Sequence, residues 1–185
     1  KKGTFRPKCV GDSLFDITTS PSDFNTSIIG EDTSSETVHS YFGKYHDIVG
    51  DLDGDGYDDF VGMSSDSNKY KAYVFYGKEG GLGADISVAS ADAIITSVNK
   101  IVRGIGDFDG DGYDDFVLAN TSNNHMYLIF GSDTRLSGSK TFSTIQSEYN
   151  KGIQYSDSNL AHLVDVANVG DVNGDGLKDM LLGCP

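Results

Sequence analysis

The chain has 185 residues, 37% of them hydrophobic, which is enough for a sizeable core and too many for a disordered segment. Its 28 acidic residues outnumber 14 basic ones, for a formal net charge of −14, which excludes nucleic acid as an expected partner and favours a cation. No run approaches the ~20 apolar residues that cross a bilayer, so we expect no membrane span in this chain. The first ten residues lack a signal-peptide-like apolar stretch, and we expect a mature, internal or trimmed sequence.

The first 40 residues match no motif that we can name, although they include short strand-like runs, "SLFDI" and "TSIIG". Cys9 lies in this segment and the second cysteine, Cys184, lies near the other end of the chain. Asn25 begins an N-T-S tripeptide, and so does Asn120, which makes both residues candidate glycosylation sites.

An internal repeat organises the rest of the sequence. The stretch "DLDGDGYDDF" at Asp51–Phe60 returns as "DFDGDGYDDF" at Asp107–Phe116 and, in a looser form, as "DVNGDGLKDM" at Asp171–Met180. These three stretches hold 13 of the 28 acidic residues, so much of the net charge is concentrated in them. The repeats start 56 and 64 residues apart, a period typical of a four-stranded unit with generous loops.

The sequence around each acidic stretch predicts strands. An apolar residue and a glycine precede it ("IVGD", "GIGD", "NVGD"), and an apolar run follows it ("FVGM", "FVLA", "MLLG"). Further along, "KAYVFYG" and "HMYLIFG" are aromatic and β-branched runs that end at a glycine. No window shows apolar spacing at i, i+3, i+4 and i+7 over a helical length, so we predict an all-β chain.

The acidic stretches have the spacing of a cage for a hard cation. Oxygen-bearing side chains stand at positions 1, 3, 5 and 9 of each loop, and a glycine at position 6 permits the bend that brings in the carbonyl of position 7. Because every donor is an oxygen, with no histidine or cysteine nearby in sequence, the pattern favours Ca²⁺ over zinc or copper. An EF-hand would need a glutamate at position 12, where these loops have Gly62, Leu118 and Leu182.

We therefore predict three calcium sites. The candidate ligands are Asp51, Asp53, Asp55, the Tyr57 carbonyl and Asp59 in the first loop; Asp107, Asp109, Asp111, the Tyr113 carbonyl and Asp115 in the second; and Asp171, Asn173, Asp175, the Leu177 carbonyl and Asp179 in the third. Asn173 replaces a carboxylate with an amide, so the third site should bind more weakly. The position 8 residues, Asp58, Asp114 and Lys178, are expected to point away from the cage into solvent.

With these loops and their flanks, the chain resembles the FG-GAP repeat of integrin α-subunit β-propellers and of many bacterial extracellular proteins. The likeness is strongest in "VANVGDVNGDGLKDMLLGCP", and Phe42-Gly43 supplies the Phe-Gly element. The second unit has Asn99-Lys100 and Leu118-Ala119-Asn120 in the corresponding regions. The resemblance covers roughly residues 41 to 185. It implies β-propeller blades at 41–97 and 98–160, the start of a third blade at 161–185, and calcium held between two strands of each blade.

Two complete units cannot close a ring of 4 to 8 blades. The resemblance therefore leaves three possibilities: a piece of a longer protein, a ring or stack completed by other chains or copies, or an open array of blades. Residues 1–40 could supply outer strands of a shared blade containing the C-terminal strand. Cys9 and Cys184 would then meet, within one chain or between neighbours, and could form a disulfide.

The resemblance implies an extracellular or cell-surface, calcium-stabilised module without catalytic activity. Its expected role is adhesion or self-assembly, with a protein or glycan ligand, or further copies of itself, as partner. An enzyme is the less favoured class, because His39, His46, His125 and His162 share no motif. The alternative is a carbohydrate-binding module, or an accessory domain of a polysaccharide-acting enzyme, in which Tyr70, Tyr149 and Tyr155 would form a platform.

Overall fold

In a computed structural model of the chain, the structure describes residues 14–18, 25–30, 42–66, 69–83, 86–149 and 151–184. Strands dominate these residues, which confirms the prediction of a mostly β chain. The strands are β1 (Leu14–Thr18), β2 (Asn25–Ile29), β3 (Tyr45–Gly50), β4 (Asp59–Asp66), β5 (Lys69–Phe75), β6 (Ile86–Ser87), β7 (Ala93–Thr96), β8 (Ile101–Gly106), β9 (Asp115–Asn120), β10 (His125–Ile129), β11 (Gly138–Thr141), β12 (Ile153–Ser156), β13 (Asp165–Gly170) and β14 (Asp179–Gly183).

The α-helix α1 (Phe142–Tyr149) departs from the predicted all-β class. Phe142 and Ile145 lie three residues apart and are both buried, while Thr141 and Thr144 exchange hydrogen bonds between side chain and backbone at the helix start. Tertiary burial and this reciprocal capping stabilise a helix that is too short for a periodicity argument to reveal. Two 3-10 turns, Val88–Ser90 and Ser158–His162, are also present.

The strands form four sheets. The first sheet has the order β11-β7-β5-β4-β3, the second β12-β10-β9-β8, and the third contains β13 and β14. An N-terminal sheet has the order β1-β2-β6. Pairing is antiparallel except between β7 and β11 and between β2 and β6. β11 belongs by sequence to the second repeat but pairs with β7, so the second unit contributes an edge strand to the first sheet.

The sheets are stacked. In the central strands, alternate side chains point to opposite faces of the sheet and pack against different neighbouring sheets. In β9, Phe116 and Leu118 face the first sheet, whereas Val117 and Ala119 face the side of the third sheet. In β5, Val74 packs toward the second sheet and its neighbours pack in the core on the opposite face. Strands with both faces buried read as continuous apolar runs, which explains "FVLA" and "KAYVF".

The described strands form no closed ring of blades. β3 lies against β8, and β8 lies against β13, so equivalent strands of successive units are neighbours. β1 pairs with β2, and β2 also pairs with β6, while no pairing of these strands with β13 or β14 occurs among the described residues. Most of residues 1–40 lie outside the described part of the chain, so the shared blade stays a prediction. None of the described helices is long and apolar enough to cross a membrane.

Candidate metal centre

The three acidic loops occupy equivalent places in the fold. They connect β3 to β4, β8 to β9 and β13 to β14, and each follows a strand whose register shifts just before its final glycine. That glycine and those at positions 4 and 6 of each loop all have positive φ values between 66° and 96°. Non-glycine residues rarely adopt this conformation, so the glycine pattern enforces one backbone path in all three loops.

The first two loops each bring three carboxylates together. Ligand oxygens of Asp51, Asp53 and Asp59 lie within 4.8 Å of one another, and so do those of the corresponding aspartates in the second loop, Asp107, Asp109 and Asp115. Two oxygens bound to one Ca²⁺ ion at 2.3–2.6 Å can be at most about 5.2 Å apart, so both triads fit a shared divalent ion. The two triads could therefore bind metal ions.

The aspartate at position 1 shapes each loop by accepting backbone hydrogen bonds. Asp51 accepts from the amides of Gly54 at 2.7 Å, Asp55 at 3.1 Å and Gly56 at 2.8 Å. Asp171 accepts the equivalent three bonds at 2.6, 3.1 and 2.8 Å, and these bonds lower its pKa. The second loop has the equivalent bonds from positions 4 and 6 to Asp107.

The aspartate at position 9 fastens the loop to the next strand. Asp59 is only 1% exposed, and its two oxygens accept hydrogen bonds from the amides of Leu52 at 2.8 Å and Gly77 at 2.6 Å. Asp115 does the same with Phe108 at 2.7 Å and Gly131 at 2.9 Å. Burial raises the pKa of Asp59 to about 7 and that of Asp115 to about 6. A bound cation would offset this cost of burying a charge.

Sequence reasoning missed this second role of position 9, although the glycine that ends "KAYVFYG" and "HMYLIFG" is its signal. A Cβ on Gly77 would lie 2.5 Å from the Asp58 carbonyl, and one on Gly131 would lie 2.7 Å from the Leu52 carbonyl. Glycine is therefore required where these strands meet the loops.

The structure does not bring all predicted ligands together. Asp55 and Asp111, at position 5, lie outside the triads, and each accepts a hydrogen bond at 3.0 Å from the amide of position 7, Tyr57 or Tyr113. In the third loop, Asp175 likewise accepts from the Leu177 amide. The role of these residues as ligands stays a prediction.

The third loop keeps the backbone but not the triad. Asn173 stands at position 3, and its amide nitrogen donates to Asp175 at 2.9 Å. Asp179 accepts from the Val172 amide at 2.9 Å, and Asp171 is exposed. No third group of acidic, histidine or cysteine side chains close enough to share an ion occurs in the part of the chain that the structure describes.

Position 8 joins neighbouring loops, so the prediction that these residues all point into solvent is wrong for Asp114. Its carboxylate accepts a hydrogen bond from the Asp51 amide at 3.0 Å, and its own amide donates to the Asp51 carbonyl at 2.9 Å. Lys178, although exposed, donates to the Asp107 carbonyl of the preceding loop. Asp58 is exposed as expected. The register between units, which sequence periodicity does not reveal, produces these contacts.

A positively charged side chain of the protein itself contacts the first loop. Arg135 donates through Nε to Asp53 and through its terminal nitrogen to Asp55 at 2.7 Å. Its guanidinium carbon also lies 4.9 Å from the centre of the Tyr76 ring. Sequence reasoning missed this residue, which is about 80 positions from the loop that it contacts.

The candidate modification sites are only partly described. Cys184 is exposed and forms no disulfide with a described residue, whereas Cys9 lies outside the described residues, so their pairing stays a prediction. The side chain of Asn25 is also outside the described part. Asn120 is 7% exposed, and its amide nitrogen donates to the Ser97 carbonyl at 2.7 Å, which argues against a glycan on that nitrogen in the folded protein.

The remaining candidates do not converge. His46 contacts the Gly43 carbonyl at 2.7 Å and His125 contacts the Tyr127 hydroxyl at 3.2 Å, in different sheets. His162 is exposed, and His39 lies outside the described residues. The tyrosines proposed as a platform are likewise separated: Tyr70 and Tyr155 line different clefts, and Tyr149 packs against the core.

A comparison with protein-family models and with curated proteins finds no match to this chain.

Proposed function

We propose that the chain is a calcium-stabilised, non-catalytic module of FG-GAP repeats with propeller-like blades, which acts outside the cell in adhesion or self-assembly. One observation carries the proposal. Two loops of nearly identical sequence each gather three aspartates within 4.8 Å, at neighbouring positions in successive sheets. Such repetition of an acidic cluster in a chain of net charge −14 calls for a counter-cation at each cluster.

The donor chemistry favours calcium. Each triad offers only carboxylate oxygens. Zinc and copper prefer nitrogen or sulfur ligands, so the triads suit them less well than they suit calcium. A loop with further oxygens at positions 5 and 7 can supply the six to eight ligands that Ca²⁺ takes. We assign a third, weaker site to Asp171, Asn173, Asp175, the Leu177 carbonyl and Asp179, because its backbone follows the same path.

Calcium in these loops would be structural. The carboxylates at positions 1 and 9 already hold the loop and the following strand through backbone amides, so an ion there would stabilise the junction between strands. A ligand present at one hundred times its dissociation constant adds about 2.7 kcal/mol per independent site to the free energy of unfolding. Two filled sites would therefore contribute a large share of the stability of an ordinary domain.

The third unit supports a role in contact with a protein, a glycan or further copies of the chain. It exposes large apolar side chains on and near its acidic loop, namely Val169, Val172, Leu177 and Leu181. Val172 and Leu177 belong to one loop, and several exposed apolar groups on one segment mark interaction surfaces more often than an isolated one does. Strands β13 and β14 form a sheet of two strands, whose outer edge could pair with a further strand.

The test is the midpoint of thermal unfolding in excess calcium, and again after addition of a chelator that binds calcium far better than magnesium. We expect chelation to lower the midpoint by about 10 °C or more, since roughly 5 kcal/mol of binding energy is lost. Addition of magnesium alone is the control and should restore little of the loss. An unchanged midpoint on chelation would refute calcium as a structural ion here.

A carbohydrate-binding module, or an accessory domain of a polysaccharide-acting enzyme, is the second candidate. A cleft of about 730 Å³ between the first and second sheets is lined by Tyr70, Lys100, Asn99, Asn123 and other polar residues. An aromatic ring beside amides and hydroxyls suits a sugar. A sugar-dependent rise in the unfolding midpoint that Tyr70→Ala abolishes and Tyr155→Ala retains would favour this candidate.

A further inference from the structure

Contacts with two carboxylates and with Tyr76 hold Arg135 at the first acidic loop. Its guanidinium group bridges Asp53 and Asp55, and the side chain of Asp53 is almost fully buried in the contact. The adjacent amide of Leu136 donates to the Tyr76 hydroxyl at 2.9 Å, while the guanidinium lies over the Tyr76 ring. A planar guanidinium held in this way loses little further freedom when it pairs with two carboxylates.

The second acidic loop has no such partner. No lysine or arginine among the described residues forms an ion pair with Asp107, Asp109 or Asp111. Lys178 donates to the backbone carbonyl of Asp107, and Lys151 is attracted by Asp111 without forming an ion pair with it. Two loops with the same ligands in sequence therefore have different electrostatic surroundings.

We propose that Arg135 is the internal counter-cation of the first loop and competes there with Ca²⁺, so that the first loop binds calcium more weakly than the second. This inference rests on the calcium-binding function proposed above. A divalent ion entering the first loop must either displace the guanidinium, which breaks two charge-assisted hydrogen bonds, or bind beside it against like-charge repulsion. In the second loop the ion breaks no ion pair with a described lysine or arginine.

The same residue links the two units in the metal-free protein. Arg135 belongs to the segment between β10 and β11, and its carboxylate partners lie in the loop between β3 and β4. The neighbouring amide of Ser132 donates to the Leu52 carbonyl at 2.7 Å. Arg135 thus neutralises part of the first loop and holds the second unit against it when calcium is absent.

Calcium titration by calorimetry on loop-specific backgrounds tests the inference. The double variant Asp107→Asn/Asp109→Asn reports the first loop, and Asp51→Asn/Asp53→Asn reports the second. Adding Arg135→Gln should tighten binding at the first loop by about tenfold and change the second by less than about twofold, because the Coulomb term falls with distance. Arg103→Gln is the matched control, since Arg103 pairs at 2.9 Å with Asp165, away from both triads.

Two further measurements guard against a variant that does not fold. Without any change at Arg135, the second-loop background should already bind calcium more tightly than the first-loop background. Arg135→Lys, which keeps the charge but loses the fork, should leave first-loop affinity closer to that of the parent than Arg135→Gln does. Equal parent affinities, or weaker first-loop binding in Arg135→Gln, would overturn the inference while leaving the calcium function intact. A complete lack of calcium uptake in every background would overturn both.

Discussion

The second and third acidic loops have the same backbone and different surroundings. Both carry glycines with positive φ at positions 4 and 6, and both have a position 1 aspartate that accepts amides from the same places. In the second loop, Asp115 is buried and held at both oxygens, by Phe108 and by Gly131 at the end of β10. In the third, Asp179 accepts from the Val172 amide, and no second backbone donor to it occurs among the described residues.

Equivalent apolar side chains are buried in the first two units and exposed in the third. Val117 of the second unit is 0% exposed, whereas Leu181, at the equivalent position of the third, is 61% exposed. Leu52 in the first loop is 3% exposed and Val172 in the third is 70% exposed. The path of a loop is thus a local property, set by aspartate and glycine, whereas the burial of the position 9 aspartate in the first two loops depends on contacts with a later segment of the chain.

The largest expected effect in this comparison comes from a methyl group at the junction between β10 and the loops. Gly131→Ala should lower the free energy of unfolding by about 3 kcal/mol, because the new Cβ meets the carbonyls of Leu52 and Asp114 and the backbone must shift. Gly183→Ala in β14 is the control, since its Cβ would meet no atom closer than 3.4 Å. Denaturant unfolding measures both, and equal losses would mean that position 9 is not held by this strand.

The pH dependence of the metal-free protein should report the two buried aspartates. Their folded pKa values, about 7 for Asp59 and about 6 for Asp115, are raised above the usual 3.8, so the folded state binds more protons than the unfolded state between these values. The free energy of unfolding in chelator should therefore fall as pH rises from about 4 to about 7, by about 2 kcal/mol or more.

Excess calcium should remove that fall, because the ion favours the ionised carboxylates. Asp59→Asn should also reduce the fall in the free energy of unfolding with pH. Midpoints of thermal unfolding at pH 5 and pH 7.5, with and without calcium, give the measurement. If the free energy of unfolding without metal instead rises over this pH range, burial does not raise the pKa of these two aspartates.

A smaller effect is expected at position 8. Asp114→Ala removes an acceptor for the Asp51 amide between two loops and should cost about 1 to 2 kcal/mol, since hydrogen bonds to charged groups contribute in this range. Asp58→Ala changes the same position of the first loop, where the side chain is exposed, and should stay within about 0.5 kcal/mol. Similar values for the two variants would show that the link between loops contributes no stability.

The smallest effect concerns the third loop itself. Asn173→Asp restores a carboxylate at position 3 and should tighten calcium binding there by less than about tenfold, one added charge acting in a well-solvated loop. The affinity of this variant loop should remain below that of the second loop, because the described residues supply Asp179 with one backbone donor, whereas both oxygens of Asp115 accept from backbone amides. Calcium titration on a background without the first two triads measures it. Affinity equal to that of the second loop would show that position 9 burial is unimportant.

Much of the fold was predictable, for identifiable reasons. The β class followed from apolar runs that end at glycine, and the acidic clusters followed from a spacing that repeats three times. The helix α1 was missed because only Phe142 and Ile145 are buried in its two turns. Arg135 and Asp114 were missed because their partners lie roughly 80 and 63 residues away, where no local pattern points to them.

The sequence by itself determined the conformation of the acidic loops, since aspartate at position 1 and glycine at positions 4 and 6 act within a few residues of one another. It also determined that the chain would be rich in strands. Only the tertiary structure decided how the aspartates at position 9 are held and which residue pairs with the carboxylates of the first loop. These outcomes depend on burial of position 9 by a neighbouring strand and on a guanidinium brought in by the next unit, and both are contacts between segments distant in sequence.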